Sequence, residues 1–153
     1  VNLTVPLLKE SANYAMLKAG QAYPLFYDSL FYDLRSAMAT AAASARSASK
    51  GLWSQDKSQA GASVPSISAL QANGVLFPKL FRRVAEYFGE GNSSLADFKD
   101  WLEAKKERVL DLDTTNSTHF DTYVRVSGNK VSLTKDLERM IFTSATSTSQ
   151  PWI

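Results

Sequence analysis

Two glycines set the strongest constraint in this chain, because each one closes a stretch of helical period and a short aromatic passage joins the two stretches. Pro6 suits a first helical turn, and Leu8, Ala12, Met16 and Ala19 follow at helical spacing up to Gly20, which predicts a helix over about residues 6–19. Tyr23-Pro24-Leu25-Phe26-Tyr27 should be extended, since proline disfavours helical backbone at its predecessor, and Asp28 or Ser29 is placed to cap a second helix. From Leu30, the residues Leu34, Met38, Ala41, Ala45 and Ala48 share one face, with Arg35 and Arg46 off it. The second helix should run to about Lys50 and end at Gly51, so that Leu52 and Trp53 dock. Its alanine-rich second half lets another backbone come close, and two packed helices are the expectation.

At 153 residues the chain can bury one core, or one and a piece. Its net charge of +2 lacks the excess of a dedicated phosphate-binding module, so bulk charge does not nominate nucleic acid. Without cysteine there is no disulfide framework, thiolate metal site or cysteine nucleophile. The compartment stays undecided on that ground, while N-x-[ST] triplets at Asn2, Asn92 and Asn116 lean toward a secreted protein. No run of about 18 apolar residues is present to span a membrane. The opening residues do not resemble a signal peptide, and a processed or truncated product is the expectation.

Val1, Leu3 and Val5 alternate with Asn2 and Thr4, the period of a half-buried strand. A strand this short needs a sheet. The expected partners are an upstream fragment of the same protein or a second copy of the chain, with a hairpin near the C-terminus as the rival. Residues 54–66 read as a polar connector. Pro78 should start a helix through Leu80, Phe81, Val84 and Phe88, stopping at Gly89-Glu90-Gly91. Ser94-Leu95-Ala96-Asp97 looks like a capping box for a further helix that buries Leu95, Phe98 and Leu102 and ends near Val109. A two-residue Gly128-Asn129 loop would set Val126 opposite Val131 and Val124 opposite Leu133 in a hairpin, and Met140-Ile141-Phe142 could add a strand. The fold class expected is α+β, mainly helical.

The order N-x-x-M-x-x-x-G-x-A from Asn13 to Ala22, the pair Leu34-Arg35, and A-R-x-x-x-x-G-L-W from Ala45 to Trp53 resembles the closing third of a staphylococcal-nuclease-like (thermonuclease) domain. One departure is Ala42, where the family often carries a glutamate. Larger members are similar further on, with F-P-K-L-F-R-R from Phe77 to Arg83 and a hairpin from Val124 to Thr134. The resemblance implies that residues 1–53 are the C-terminal portion of an OB-type nuclease domain; by their own pattern, 54–142 read as a helical extension with a hairpin, and the Ser/Thr-rich 143–153 as a flexible tail. It implies hydrolysis of DNA and RNA by the complete protein, with Ca²⁺ held by paired aspartates and two arginines at the phosphate. Those positions precede the matched segment, so no catalytic residue, metal ligand or cofactor is assigned to this chain, which should be inactive alone. Tyr23 and Tyr27 are the only nucleotide-binding candidates the resemblance implies, through stacking on bases or a phenol reaching phosphate.

Other residues read more plainly. For Tyr23 and Tyr27 the favoured reading is junction packing with Phe26 and Phe31. Lys79, Arg82 and Arg83 with Phe81 and Phe88, and Lys105, Lys106 and Arg108 after Trp101, could grip DNA or RNA but fit a solvated basic face over an aromatic stripe better. His119 is the single histidine and reads as a loop residue. Asp111-Leu112-Asp113-Thr114-Thr115-Asn116 starts like an EF-hand loop but lacks its turn glycine and twelfth-position glutamate, leaving a turn with helix-flanking carboxylates. No G-x-S-x-G supports a serine hydrolase. The alternative function is a non-catalytic helical interaction or structural module.

Overall fold

The computed structural model describes residues 2–144, so the tail expected beyond them lies outside the described residues. The chain is an α+β mixture in which six α-helices surround two small sheets among the described residues, and neither sheet closes into a barrel.

The opening strand is not formed. Val1 lies outside the described residues, Asn2 to Thr4 are exposed and irregular, and Val5 already belongs to helix α1, Val5–Lys9. Two local effects decide this. Pro6 has the φ of a first helical turn and loses no hydrogen bond there, and the helix carries Leu8 into burial. A strand would have left Leu3 and Val5 without a sheet. The single helix expected over 6–19 is also broken, because the Ser11 side chain accepts a hydrogen bond from the Tyr14 amide at 3.2 Å and caps a separate helix α2, Ala12–Ala19.

Gly20 ends α2 in the left-handed conformation, and Gln21 N–H donates to the Met16 carbonyl at 2.9 Å, as the glycine predicts. The aromatic passage contains a two-residue strand β1, Phe26–Tyr27. Helix α3, Tyr32–Ser47, buries Leu34, Ala41, Ala42 and Ala45. Asp28 does not cap it; its carboxylate accepts instead from the Ser144 amide and hydroxyl, at 3.0 and 2.8 Å. Gly51 does not terminate α3 either. The reversal comes at Ser49, which takes φ +50° while the Lys50 amide donates to Ala45, and Gly51 opens a 3₁₀ turn, Gly51–Ser54, that seats Trp53.

The polar connector is more structured than its composition suggests. Strand β2, Ala62–Ser63, buries Ala62, and Val64 and Ser58 are buried beside it. Ser66 then caps a helix α4, Ile67–Asn73, through the Ala69 amide at 3.2 Å. Helix α5, Pro78–Gly89, matches its expected bounds. Helix α6, Phe98–Ala104, stops earlier than expected, and Val109 lies in strand β3, Arg108–Asp111, whose alternating burial is the period of a strand.

Strand β3 pairs with β4, Ser117–His119, so His119 is in a strand and not in a loop. Strands β5, Val124–Ser127, and β6, Lys130–Leu133, form the expected hairpin in the expected register, Val126 opposite Val131 and Val124 opposite Leu133. Strand β7, Met140–Phe142, completes the set. The sheet orders are β1-β7-β3-β4 and β2-β6-β5, antiparallel except for the parallel pair β1 and β7. Through that pair Phe26 and Tyr27 sit beside Ile141 and Phe142, fastening the aromatic passage to the last strand.

A continuous core runs from Ala45 and Trp53 through Leu80, Val84, Phe98 and Val109 to Phe142. Phe77, Phe120 and Phe142 pack ring on ring with centroids 5.3–6.4 Å apart. A second, smaller cluster of Leu17, Ala41 and Ala42 holds α2 against α3. The small side chains there permit the close helix approach, and that approach places the two glycine turns in contact.

Candidate functional site

Tyr23 follows the Gly20 turn and packs edge-on against Trp53 and Phe77, with centroids 5.1 and 6.4 Å away. Its hydroxyl donates to Asp56 Oδ1 at 2.6 Å, which also accepts from the Ser58 hydroxyl at 2.6 Å, and Ser58 Oγ accepts from the buried Phe77 amide at 2.7 Å. Burial, and then the Asp56 carboxylate, push the Tyr23 phenol far above its ordinary range, so it stays a neutral donor. The ring also lines a groove of about 290 Å³ with Met16, Leu17, Pro24, Leu25 and Met38. Tyr27 is not brought to that groove; its ring lies 6.3 Å from Phe142.

The Tyr27 ring is also 5.9 Å from Lys79 Nζ, the centre of a half-buried ion cluster. Lys79 is only 6% exposed, sits 4.6 Å above the Phe142 ring and pairs with Glu107 at 2.6 Å. Arg83 binds the same carboxylate through Nε and reaches Glu86 at 2.6 Å. Burial works to raise the Glu107 carboxyl, but hydrogen bonds from Arg83 and Lys79 outweigh it and hold the group below its usual range. On the next helix, Lys105 lies 4.1 Å above the Trp101 ring and pairs with Glu86 at 2.8 Å. Lys79, Arg83 and Lys105 are therefore engaged within the fold, although Lys105 is exposed like Arg82, Lys106 and Arg108. Glu107→Gln should destabilise by about 1–3 kcal/mol, since each cation loses its carboxylate but keeps a ring or Glu86 as partner. Urea unfolding at neutral pH measures it.

Asp111 and Asp113 flank the turn between β3 and β4, so the carboxylates border strands and not helices. Asp111 is 3% exposed and accepts from Lys135 Nζ at 2.7 Å and from the Tyr123 hydroxyl at 2.8 Å. Asp113 takes Lys135 at 2.8 Å and Arg139 at 2.7 Å. Both carboxylates are thus saturated by cations, and this donor set does not fit Ca²⁺, which needs several free oxygen ligands. Among the described residues no group of three or more His, Asp or Glu side chains gathers as a metal site.

Burial would raise the Asp111 carboxyl, but Lys135, Tyr123 and the Asp113 amide override it and hold it far below the ordinary range. Burial, and then Asp111, push the Tyr123 phenol up to about 12. A carboxyl depressed on folding contributes stability that is complete above its unfolded pKa, about 3.9, and is lost as pH falls toward the folded value. The urea midpoint should therefore hold between pH 7 and 5 and drop steeply below pH 4. Asp111→Asn should lower the midpoint at pH 7 and flatten that acid loss.

A second groove, of about 260 Å³, escaped the sequence reading. Tyr32, Arg35, Ser36, Ala39 and Thr40 of α3 form one wall, and Leu112, Glu138 and Arg139 the other. Tyr32 and Arg35 are one helical turn apart, which is a readable signal. Their opposing wall comes from the far end of the chain and left no local trace. Compared with known proteins, the chain matches no family model, no curated protein and no solved structure.

Proposed function

We propose that this chain is the C-terminal, non-catalytic part of a staphylococcal-nuclease-like protein, and that the complete protein hydrolyses phosphodiester bonds of DNA or RNA with Ca²⁺. On this reading α2 and α3 are the two helices that end an OB-type nuclease domain. The barrel that carries the catalytic carboxylates and arginines is upstream sequence, and it is the chain's main partner. The 153-residue chain alone is inactive.

One observation carries the reading. The two glycines that punctuate the family-like motifs meet: a Cβ on Gly51 would lie 2.3 Å from the Gly20 carbonyl oxygen, and one on Gly20 would lie 2.3 Å from that of Lys50. The Leu52 amide donates to Gly20 at 2.9 Å across the same contact. Glycine is thus required at both positions by one backbone crossing, and the motif's Trp53 and Arg46 stack beside it, 5.8 Å from guanidinium carbon to ring centroid.

Reading the codons that precede Val1 tests it. The expected result is a run of strands bearing paired aspartates, a glutamate and two arginines. An unrelated preceding sequence, or a start codon directly before Val1, would sink the reading. It would favour the second one, a non-catalytic helical interaction module, for which the exposed apolar side chains Leu3, Leu7, Met16, Phe31 and Tyr32 speak.

A further inference from the structure

We propose that the groove between α3 and the Leu112/Arg139 wall binds single-stranded nucleic acid, with Arg35 on a phosphate and Tyr32 under an unpaired base. The inference rests on this groove's own chemistry, apart from the nuclease-like reading.

The charge state of the groove comes first. Four titratable side chains face it: Tyr32, Arg35, Glu138 and Arg139. Glu138 is engaged, since its two oxygens accept from Arg46 at 2.6 and 2.5 Å, a guanidinium that also pairs with Asp136 at 3.1 Å. Arg139 is held by Asp113 at 2.7 Å. Arg35 differs from both. Among the described residues it has no carboxylate partner, and its side chain makes a single hydrogen bond, from Nη1 to the Leu30 carbonyl at 3.2 Å. A guanidinium has five N–H donors, so most of its fork is left for a ligand. Its carbon sits 5.6 Å from the centroid of the Tyr32 ring, which holds the charge at the groove mouth. The groove therefore presents one guanidinium without a carboxylate partner among the described residues, and the group that suits it is an anion.

Ring exposure decides which anion. Phe31 and Tyr32 are each 76% exposed, the most exposed large hydrophobic side chains among the described residues. Of the two, Tyr32 lines the groove, and its open ring beside the Arg35 guanidinium offers a stacking face and a phosphate contact together, the combination that single strands use. An acidic peptide would use the cation and leave the Tyr32 ring in water. A duplex would keep its bases out of their reach.

The shape agrees with a strand and not with an enclosed metabolite. The volume of about 260 Å³ falls short of the roughly 300–1,000 Å³ usual for small-molecule pockets. The depression also continues along α3, where Thr40 and Ala43 line both it and a shallower groove bounded by Ser44, Ser47 and Ala48. Small side chains and hydroxyls along that track leave room for an extended sugar-phosphate backbone.

Fluorescence anisotropy of a 5′-labelled oligothymidylate 12-mer against the 153-residue chain at low salt is the test, repeated with Arg35→Gln, Tyr32→Ala and a control Arg82→Gln on the exposed face of α5. Tyr32 is exposed, so its removal leaves the fold intact, and thermal unfolding of each variant verifies this. Expected are saturable binding that weakens as salt rises, a loss of about fivefold or more for Tyr32→Ala and for Arg35→Gln, and no comparable loss for Arg82→Gln. A duplex of the same length should bind more weakly than the single strand. Absence of binding at low salt, equal losses for all three variants, or displacement by polyglutamate as effective as by unlabelled oligothymidylate would each overturn the proposal. Because the measurement uses the isolated chain, its failure leaves the test on the upstream codons untouched, and the converse also holds.

Discussion

Gly51→Ala is expected to lower stability by about 2–5 kcal/mol, from two additive sources. The residue sits at φ +54°, where a side chain costs about 1–2 kcal/mol. The new methyl would also meet the Gly20 carbonyl oxygen at 2.3 Å and its carbon at 2.8 Å, and crowding a packed contact costs about 1–3 kcal/mol more. Backbone on both sides leaves no flexible side chain to yield. Gly128→Ala supplies the internal control, because Gly128 has φ +57° but nothing within 4 Å of its added methyl, so only the conformational part, about 1–2 kcal/mol, should appear. Urea midpoints of the two variants separate the crossing from the torsion. Equal losses would mean that the glycine contact is unimportant to the fold.

Trp53→Ala should cost about 3–5 kcal/mol. Trp53 is 8% exposed, has Tyr23 edge-on at 5.1 Å and lies under the Arg46 guanidinium, so truncation opens a cavity in the larger core. Its indole Nε1 is buried without a hydrogen-bond partner among the described residues, which is an unmet cost in the native state. Trp53→Phe should for that reason lose far less than alanine, since it keeps most of the ring area and removes the orphaned donor. Chemical unfolding of both variants checks the order. A loss below about 1 kcal/mol for alanine would show a superficial side chain and weaken the family-like reading of the G-L-W segment.

The features legible in the sequence were those with a local cause. Gly20 stops α2 through its own φ, and Gly128-Asn129 sets the β5 and β6 register because a two-residue loop admits no slip. Gly51 was found for the wrong reason: Ser49 ends α3, and the glycine serves the crossing with Gly20, a long-range demand that looks like a helix stop when read locally. Val1 to Val5 had a strand's period, and Pro6 with Leu8 outweighed it. Helix α4 carried a capping signal in Ser66 that a polar, glycine- and proline-bearing neighbourhood obscured. The pairing of Phe26–Tyr27 with β7 had no readable sign, since two residues show no period and their partner is at the other end of the chain. Tyr23 and Tyr27 are site residues only through the family resemblance, while the Tyr32 and Arg35 groove emerges only once Leu112 and Arg139 close its far wall.

On the proposed function, the chemistry of this nuclease-like protein lies upstream of the 153-residue chain. Hydrolysis of single-stranded DNA in the presence of Ca²⁺, measured side by side for the protein expressed from its own start codon and for the 153-residue chain, tests that claim most directly. The account predicts cleavage by the longer protein, abolished when Ca²⁺ is chelated, and none by the chain alone. Cleavage by the repurified 153-residue chain that disappears on a point substitution within it, or a longer protein that cleaves nothing, would contradict it.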